Sequence, residues 1–404
     1  MAGRHRACLR NHRTSLISLR RSFAAPVLAA LLLAGCGKSE PVVKIGFIGP
    51  LTGDQAPEGQ DMLHGAQLAV EQAKTLGAIL PGYHLELVAL DDQRSPTQAV
   101  AAAKRLIADH DVVAIVGHLN SSCTMPASAI YHQAKILQLS PVSSNPQISR
   151  QGFENFFRIC ATDDLQGPAA ASFLAERLQV KRLFVLDDMT TYGRGLANEL
   201  IGKANNLNIT VIGHEGISQE DKDFVPLLTK IKSLNPDAVY FAGMFPQGAL
   251  LLKQRAELGL RGHFMGGDGL FDAQLIKLAG PGGAEGAYLT KLGPDIRTIP
   301  TARAFVTAFE AKYGAVGAYS SYAYEATNMV LWAIRAAGRS DRTAVLGAMK
   351  RLKDYQGIFG MQNFDAKGDS LLREIGLVHV RNGAFVEVGV YAERDGRFVF
   401  HPAS

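Results

Sequence analysis

The chain is poor in the motifs that mark the common catalytic chemistries. It has no G-x-S-x-G nucleophile elbow, no Walker A loop and no H-E-x-x-H pair. The clusters GGDG (266–269) and GRG (193–195) are too short for a dinucleotide fingerprint, and the first apolar run ends in GPLTG instead. The eleven histidines are scattered. His110 and His118 flank one apolar run without a partner at metal-ligand spacing, so they read as loop or core residues, and no metal or cofactor is expected. No apolar run approaches the roughly 20 residues of a membrane span. There is also no period-locked repeat, no low-complexity tract and no polybasic stripe with interleaved aromatics, which argues against nucleic acid as a partner.

Acidic residues are missing altogether from residues 1–35, which hold six arginines and end in the apolar run APVLAALLLAG. A basic region, a short apolar core and small residues form a secretory signal. Arg20-Arg21-Ser22-Phe23 looks like a twin-arginine export motif, with a chance arginine pair as the alternative. Leu33-Ala34-Gly35-Cys36 resembles a bacterial lipobox, implying cleavage before Cys36 and lipidation of that residue. Without the leader, 36 of the 42 basic side chains face 37 acidic ones, so the basic charge belongs to the leader. Cysteine is scarce. Of the four, Cys8 would be discarded and Cys36 lipidated, leaving Cys123 and Cys160 either paired or as buried thiols.

What is present is an alternation of apolar β-rich runs with Ala/Leu-rich stretches of helical period, beginning at Val42. VVKIGFIGPL (42–51), HLELVALDD (84–92), DVVAIVG (111–117), AKILQLSPVSS (134–144), KRLFVLDD (181–188), NITVIGHEG (208–216), DAVYFAG (237–243) and GHFMGGDG (262–269) read as strands. GAQLAVEQAKTLG (65–77) and PTQAVAAAKRLIAD (96–109) read as helices, the second opened by Ser95-Pro96. The pattern is α/β with parallel sheets covered on both faces. Helices dominate after residue 290. REIGLVHVRNGAFVEVGVY (373–391) then reads as a hairpin turning at Asn382-Gly383. The 369 residues beyond the leader exceed one ordinary core, so two lobes are expected.

Polar groups collect at the carboxyl ends of these strands, where open α/β sheets bind ligands. GHLNSSCTMP (117–126) places Ser121 and Ser122 ahead of a helix expected to start near Met125. They could bind an anion at the helix N-terminus or simply cap it. The next junction, SPVSSNP (140–146), again offers hydroxyls, from Ser143 and Ser144. Asp268, flanked by glycines after GHFMG, could balance an ammonium group or be an exposed loop residue. Tyr192 in TTYGRG could close over a ligand or cover the helix that follows it.

GHLNSSCTMPAS, LSPVSSNP, FRICATDDLQGP (157–168), TTYGRGLA, QEDKDF (219–224), FMGGDG and FDAKGD (364–369) together resemble the leucine/isoleucine/valine-binding proteins, periplasmic receptors of ABC importers. The resemblance implies a type I periplasmic binding fold, with two doubly wound parallel-sheet lobes joined by three crossovers. The expected division is a leader at 1–35, a lipid-anchored linker at 36–41, lobe one at 42–161 and 291–367, and lobe two at 162–290 and 368–404.

Carried over by position, Ser121 and Ser122 hold a ligand carboxylate. Ser144 and the carbonyl of Val142 accept from an ammonium, Asp268 supplies its counter-charge, and Tyr192 covers the cleft. The family usually has Glu at the Asp268 position and Thr at the Ser144 position. Glu58 and Met244 fall in the side-chain pocket, where the family has aromatic residues. Arg94 and Asn120 stand where it has a disulfide. The implied protein is an exported, membrane-anchored monomer without catalysis that binds an L-α-amino acid, aliphatic by family, and delivers it to a membrane permease. A sensor or receptor for amides or short-chain carboxylates on the same fold is the alternative. A buried unpaired carboxylate against an aliphatic group is costly, so either Glu58 points to solvent or the ligand carries polar or cationic side-chain atoms.

Overall fold

The computed structural model of the chain describes residues 41–394 and 397–403; the expected leader and Cys36 lie outside the described residues. The first sheet holds β1 (Val42–Gly49), β2 (His84–Asp91), β3 (Val112–Gly117), β4 (Leu137–Ser140) and β5 (Phe156–Arg158). All are parallel, in the order β2-β1-β3-β4-β5. The order reverses at β1, so the loops after β1 and β3 leave the sheet at its switch point. The β1 and β3 strands are apolar on both faces because helices cover both. Val43, Ile45, Phe47 and Ile48, and all of Val112 to Val116, are fully buried. Each valine, isoleucine and phenylalanine among them contributes about 1.5–3 kcal/mol by leaving water.

Helices α1 (Ala56–Thr75), α2 (Pro96–Ala108), α3 (Ser121–Gln133) and the single turn α4 (Gln147–Arg150) connect these strands. In α1, Met62, Leu63, Ala66, Ala69, Val70 and Ala73 recur at helical spacing and form its buried face. The helix begins at Ala56, nine residues before the expected start at Gly65, with Pro57 preset for the first turn. That extension places Glu58 on a helix and inside the protein. In α2, the hydroxyl of Ser95 accepts from the N–H of Gln98 at 3.4 Å, as a serine cap should.

The chain crosses to the second sheet through α5 (Asp163–Glu176). There β6 (Arg182–Asp187), α6 (Thr191–Asn205), β7 (Thr210–Gly216), α7 (Val225–Leu234), β8 (Ala238–Ala242), α8 (Phe245–Glu257), β9 (His263–Gly266), α9 (Ala273–Ala279) and β10 (Tyr288–Lys291) alternate. Helices α10 (Arg303–Tyr313), α11 (Ser320–Ala337) and α12 (Arg342–Met349) return to the first sheet, where α11 lies along α1 and α12 against β3 and β4. A Cβ on Gly65 would collide with the carbonyl of Ser320, so glycine there permits the close approach of α1 and α11.

After the small hairpin β11 (Tyr355–Gly357) and β12 (Gly360–Gln362), the chain crosses once more. It adds β13 (Glu374–Arg381), β14 (Ala384–Arg394) and β15 (Arg397–Pro402) antiparallel to the second sheet, whose order is β15-β14-β13-β10-β9-β8-β6-β7. Asn382 and Gly383 both take positive φ, +52° and +71°, as the tight hairpin turn requires. The result is two α/β lobes linked by three crossovers.

Several boundaries differ from the expectations. β4 stops at Ser140, because the SPVSSNP segment turns away as a loop. Strands β5, with three residues, and β10, with four, are too short to show a period, and β15 extends the expected final pair to three strands.

Candidate functional site

The loops after β3, β4, β6, β8 and β9 meet in one cleft. It is lined by Leu119, Asn120, Ser121, Ser122, Val142, Ser144, Asp188, Thr190, Tyr192, Gln219, Met244, Asp268, Gly269 and Tyr319. The structure thus brings together Ser121, Ser122, Val142, Ser144, Tyr192, Met244 and Asp268, and leaves Glu58 outside this lining.

Helix α3 starts at Ser121, not near Met125, and carries Pro126 within it instead of at its start. The cap is Asn120, whose side chain makes no capping bond; its carbonyl accepts from the N–H groups of Cys123 and Thr124, both at 3.0 Å. Neither serine is the cap. The N–H groups of Ser121 and Ser122 precede the first intrahelical bond and so have no carbonyl of their own helix to bond. With the positive end of the helix dipole, they suit an anion. The Ser121 hydroxyl accepts from the N–H of Asn145 at 3.3 Å, which ties this end to the β4 loop.

Ser143 fastens the same two loops. Its hydroxyl donates toward the carbonyls of His118 (3.0 Å) and Leu119 (2.9 Å) and lies 2.5 Å from the Thr124 hydroxyl. His118 is a core residue, fully buried between Asp92 (2.7 Å) and the Tyr131 hydroxyl (3.2 Å). Gly117 takes φ +140°, and a Cβ there would collide with the carbonyl of Ile48.

Below the β4 loop lies Arg158, fully buried. It donates to the carbonyls of Ser143 (2.8 Å) and Asn145 (2.7 Å), to the Ser149 hydroxyl (2.9 Å) and to Asp369 (2.7 Å). Ser144 is 1% exposed, and its carbonyl accepts from the N–H of Asp163 at 3.0 Å.

On the opposite wall, Asp268 sits in a single 3-10 turn after β9 and is only 5% exposed, so it is not an exposed loop residue. Its carboxylate accepts from the Tyr192 hydroxyl (2.7 Å), Gln166 Nε2 (2.9 Å) and the Tyr319 hydroxyl (3.2 Å). Gln166 also accepts from the Asp268 N–H at 2.8 Å and from the Thr290 hydroxyl at 2.7 Å. Burial pushes the Asp268 carboxyl above its usual range, and these donors work against the rise. Burial raises Asp163 further, with Asp268 nearby adding to it, and one oxygen of Asp163 has no hydrogen-bond partner. A positive charge in the cleft would relieve both. Tyr192 therefore does more than cover a helix, since it holds the carboxylate directly.

Gln166 and Tyr319 were not identified from the sequence. Each lies mid-pattern on or beside a helix, with no local signal. Asp188 was legible in principle, as a carboxylate at the end of LFVLDD. It is buried, accepts from the N–H (3.1 Å) and hydroxyl (2.5 Å) of Thr190, and faces the cleft.

Contacts that cross between the lobes at the cleft include Tyr319 to Asp268, Asn145 Nδ2 to the Thr191 carbonyl (2.6 Å), and Arg94 to Glu220 (3.7 Å). Arg94 also pairs with Asp54 at 3.2 Å, and Asn120 Nδ2 donates to Gln55 at 2.9 Å. Cys123 and Cys160 are free, buried thiols whose pKa values burial raises. Among the described residues no helix is long and apolar enough to cross a membrane, and no group of His, Cys, Asp and Glu is disposed to hold a metal ion.

A periplasmic binding protein family model matches residues 42–384. A Leu/Ile/Val-binding protein homolog of Brucella abortus is 34% identical over 354 residues, 88% of this chain and 94% of the relative. A leucine-, isoleucine-, valine-, threonine- and alanine-binding protein of Pseudomonas aeruginosa is 35% identical over 352 residues, 87% of this chain and 92% of the relative. The crystal structure of a leucine-binding protein from Thermotoga maritima superposes with a TM-score of 0.79 at 32% identity, covering 86% of this chain and 98% of that one. With two crossover-linked lobes closing on a cleft of opposed polarity, and with these matches across nearly its whole described length, the chain belongs to the periplasmic binding protein family.

Proposed function

We propose that the chain is an extracytoplasmic receptor that captures a free L-α-amino acid between its lobes and delivers it to an ABC import permease. The observation that carries this is the pairing of opposites across the cleft. The unbonded N-terminus of α3 lies on one wall, and the Asp268 carboxylate, oriented by Tyr192, Gln166 and Tyr319, lies on the other. A zwitterion satisfies both at once, its carboxylate at Ser121 and Ser122 and its ammonium among Asp268, the Ser144 hydroxyl and the Val142 carbonyl. Because the ammonium engages both lobes, the ligand stabilises the closed state over the open one.

The lobes divide as the sheets do, near residues 162, 291 and 368. Cys36 is the lipid-anchor site, and the receptor acts as a periplasmic monomer without a catalytic step. The names of the relatives favour an aliphatic side chain, and Met244 and Leu119 offer apolar contact.

Thermal-shift and calorimetric titration of the protein against the common amino acids, amides and small carboxylic acids tests this reading. Stabilisation by at least one amino acid is expected. A response to amides or acids alone would favour a receptor for ligands without an amine and overturn the role given to Asp268.

A further inference from the structure

Glu58 has no part in the site described so far, yet it is 1% exposed and neither carboxylate oxygen has a hydrogen-bond partner. The charged groups acting most strongly on it are Asp272, Asp268, Asp54 and Asp61, all carboxylates. Most of these already have donors. Asp61 accepts from the N–H groups of Gly317 (3.2 Å), Tyr319 (2.9 Å) and Ser320 (2.7 Å) at the start of α11. Asp54 pairs with Arg94, Asp268 is held as above, and Asp272 accepts from the N–H of Gln274 at 2.7 Å. Glu58 is left with negative company and no donor. The Asn120 Oδ1 is also buried without a donor, although Asn120 lines the cleft. The neighbouring Gln55 Nε2 is an unpartnered donor, but one amide nitrogen cannot satisfy a carboxylate with about four lone pairs.

The position of this deficit matters. The cleft and a second, roomier cavity share Asp268 and Tyr319 as a common wall, and Asp272 lines the second cavity. Glu58 approaches that wall from the first turn of α1, within electrostatic reach of Tyr319, Asp268 and Asp272. Glu58 itself lines neither space; the link to the cleft is Asn120, which lines it and donates to Gln55, three residues before Glu58. An aliphatic side chain brings no donor to the Glu58 oxygens. An ammonium brings three N–H groups and a guanidinium five, each with the charge that a buried carboxylate lacks.

We propose that the site takes an L-α-amino acid whose side chain ends in an ammonium or guanidinium group, with Glu58 as its counter-ion and Asn120 as a further acceptor. This rests on the amino-acid reading above and moves the side-chain class away from the aliphatic one of the relatives' names.

The test is calorimetric titration of the protein, expressed from the full chain and extracted in mild detergent, with lysine, ornithine, arginine, leucine and isoleucine. The wild type, Glu58→Gln and Glu58→Leu are compared, with melting curves without ligand as the fold control. The wild type is expected to bind at least one cationic amino acid about tenfold or more tighter than leucine. Glu58→Gln should lose about tenfold or more for that ligand and little for leucine, and Glu58→Leu should prefer leucine. Leucine or isoleucine binding tightest to the wild type, with an unchanged ranking in Glu58→Gln, would overturn the inference and leave the amino-acid receptor standing. Binding of neither class would overturn both. If Glu58→Leu fails the melting control, the near-isosteric Glu58→Gln still decides the outcome.

Discussion

Arg158 and Asp369 are 211 positions apart in the chain and form a buried ion pair, Nε to Oδ1 at 2.7 Å, beneath the β4 loop. The same guanidinium holds the carbonyls of Ser143 and Asn145, which bracket the cleft residue Ser144. The last crossover segment thus sets the shape of the loop that carries the proposed ammonium acceptors. Arg158→Met should lower stability by about 3–5 kcal/mol, because it strands a buried carboxylate and two carbonyls. Urea denaturation checks this, and a loss below about 1 kcal/mol would mean that the loop keeps its shape without the arginine.

Asp268→Asn keeps the shape of the carboxylate but removes its charge. Amino-acid affinity should fall at least tenfold, about 1.4 kcal/mol. Gln166→Leu should act in the same direction, because Gln166 both donates to the carboxylate and accepts from its backbone. Titration calorimetry reads both, and unchanged affinity in Asp268→Asn would place the ammonium elsewhere.

Closure can be blocked away from the ligand. A Cβ on Gly195, in α6, would collide with Asn145 Nδ2, the group that bridges to Thr191 across the lobes. Gly195→Leu should therefore favour the open state and weaken ligand binding by about tenfold. Its unliganded stability should stay within about 1 kcal/mol of wild type. Small-angle scattering with saturating ligand should show a more extended particle than the wild type, and an identical compaction would count against this wedge.

Glu325, on α11, is buried against the β11–β12 hairpin, where the N–H groups of Ile358 and Phe359 partly offset its desolvation. Its carboxyl is pushed up from 4.5 to about 7. Between those values the unfolded chain has released this proton and the folded one has kept it, so this group makes stability fall as pH rises. The loss amounts to about 3 kcal/mol once pH exceeds the folded value. Glu325→Gln should flatten that part of the profile and be the more stable protein at pH 8. Denaturant titrations between pH 5 and 8 that show the same slope for both would refute the assignment.

The α/β alternation, the strand cores and the clustering of polar residues at strand ends were legible in the linear chain, because periodicity and β-propensity are local. VVAIV reads as a strand covered on both faces, and Asn382-Gly383 as a tight turn. Glu58 stood out only against the aromatic residue of the resembling family, and not as a buried residue. Its burial follows from the early start of α1 and the packing of α1 against α11, a long-range event. Gln166 and Tyr319 gave no signal, since a glutamine in a helix and a tyrosine before one become acceptor, donor and clamp only when β9 delivers Asp268 to them. The residue types and strand ends were thus set by sequence. Which carboxylates face one another, which lack donors and which loop rests on Arg158 were decided by tertiary structure, because hydrogen bonds and Coulomb interactions depend on distances that the chain creates only when it closes on itself.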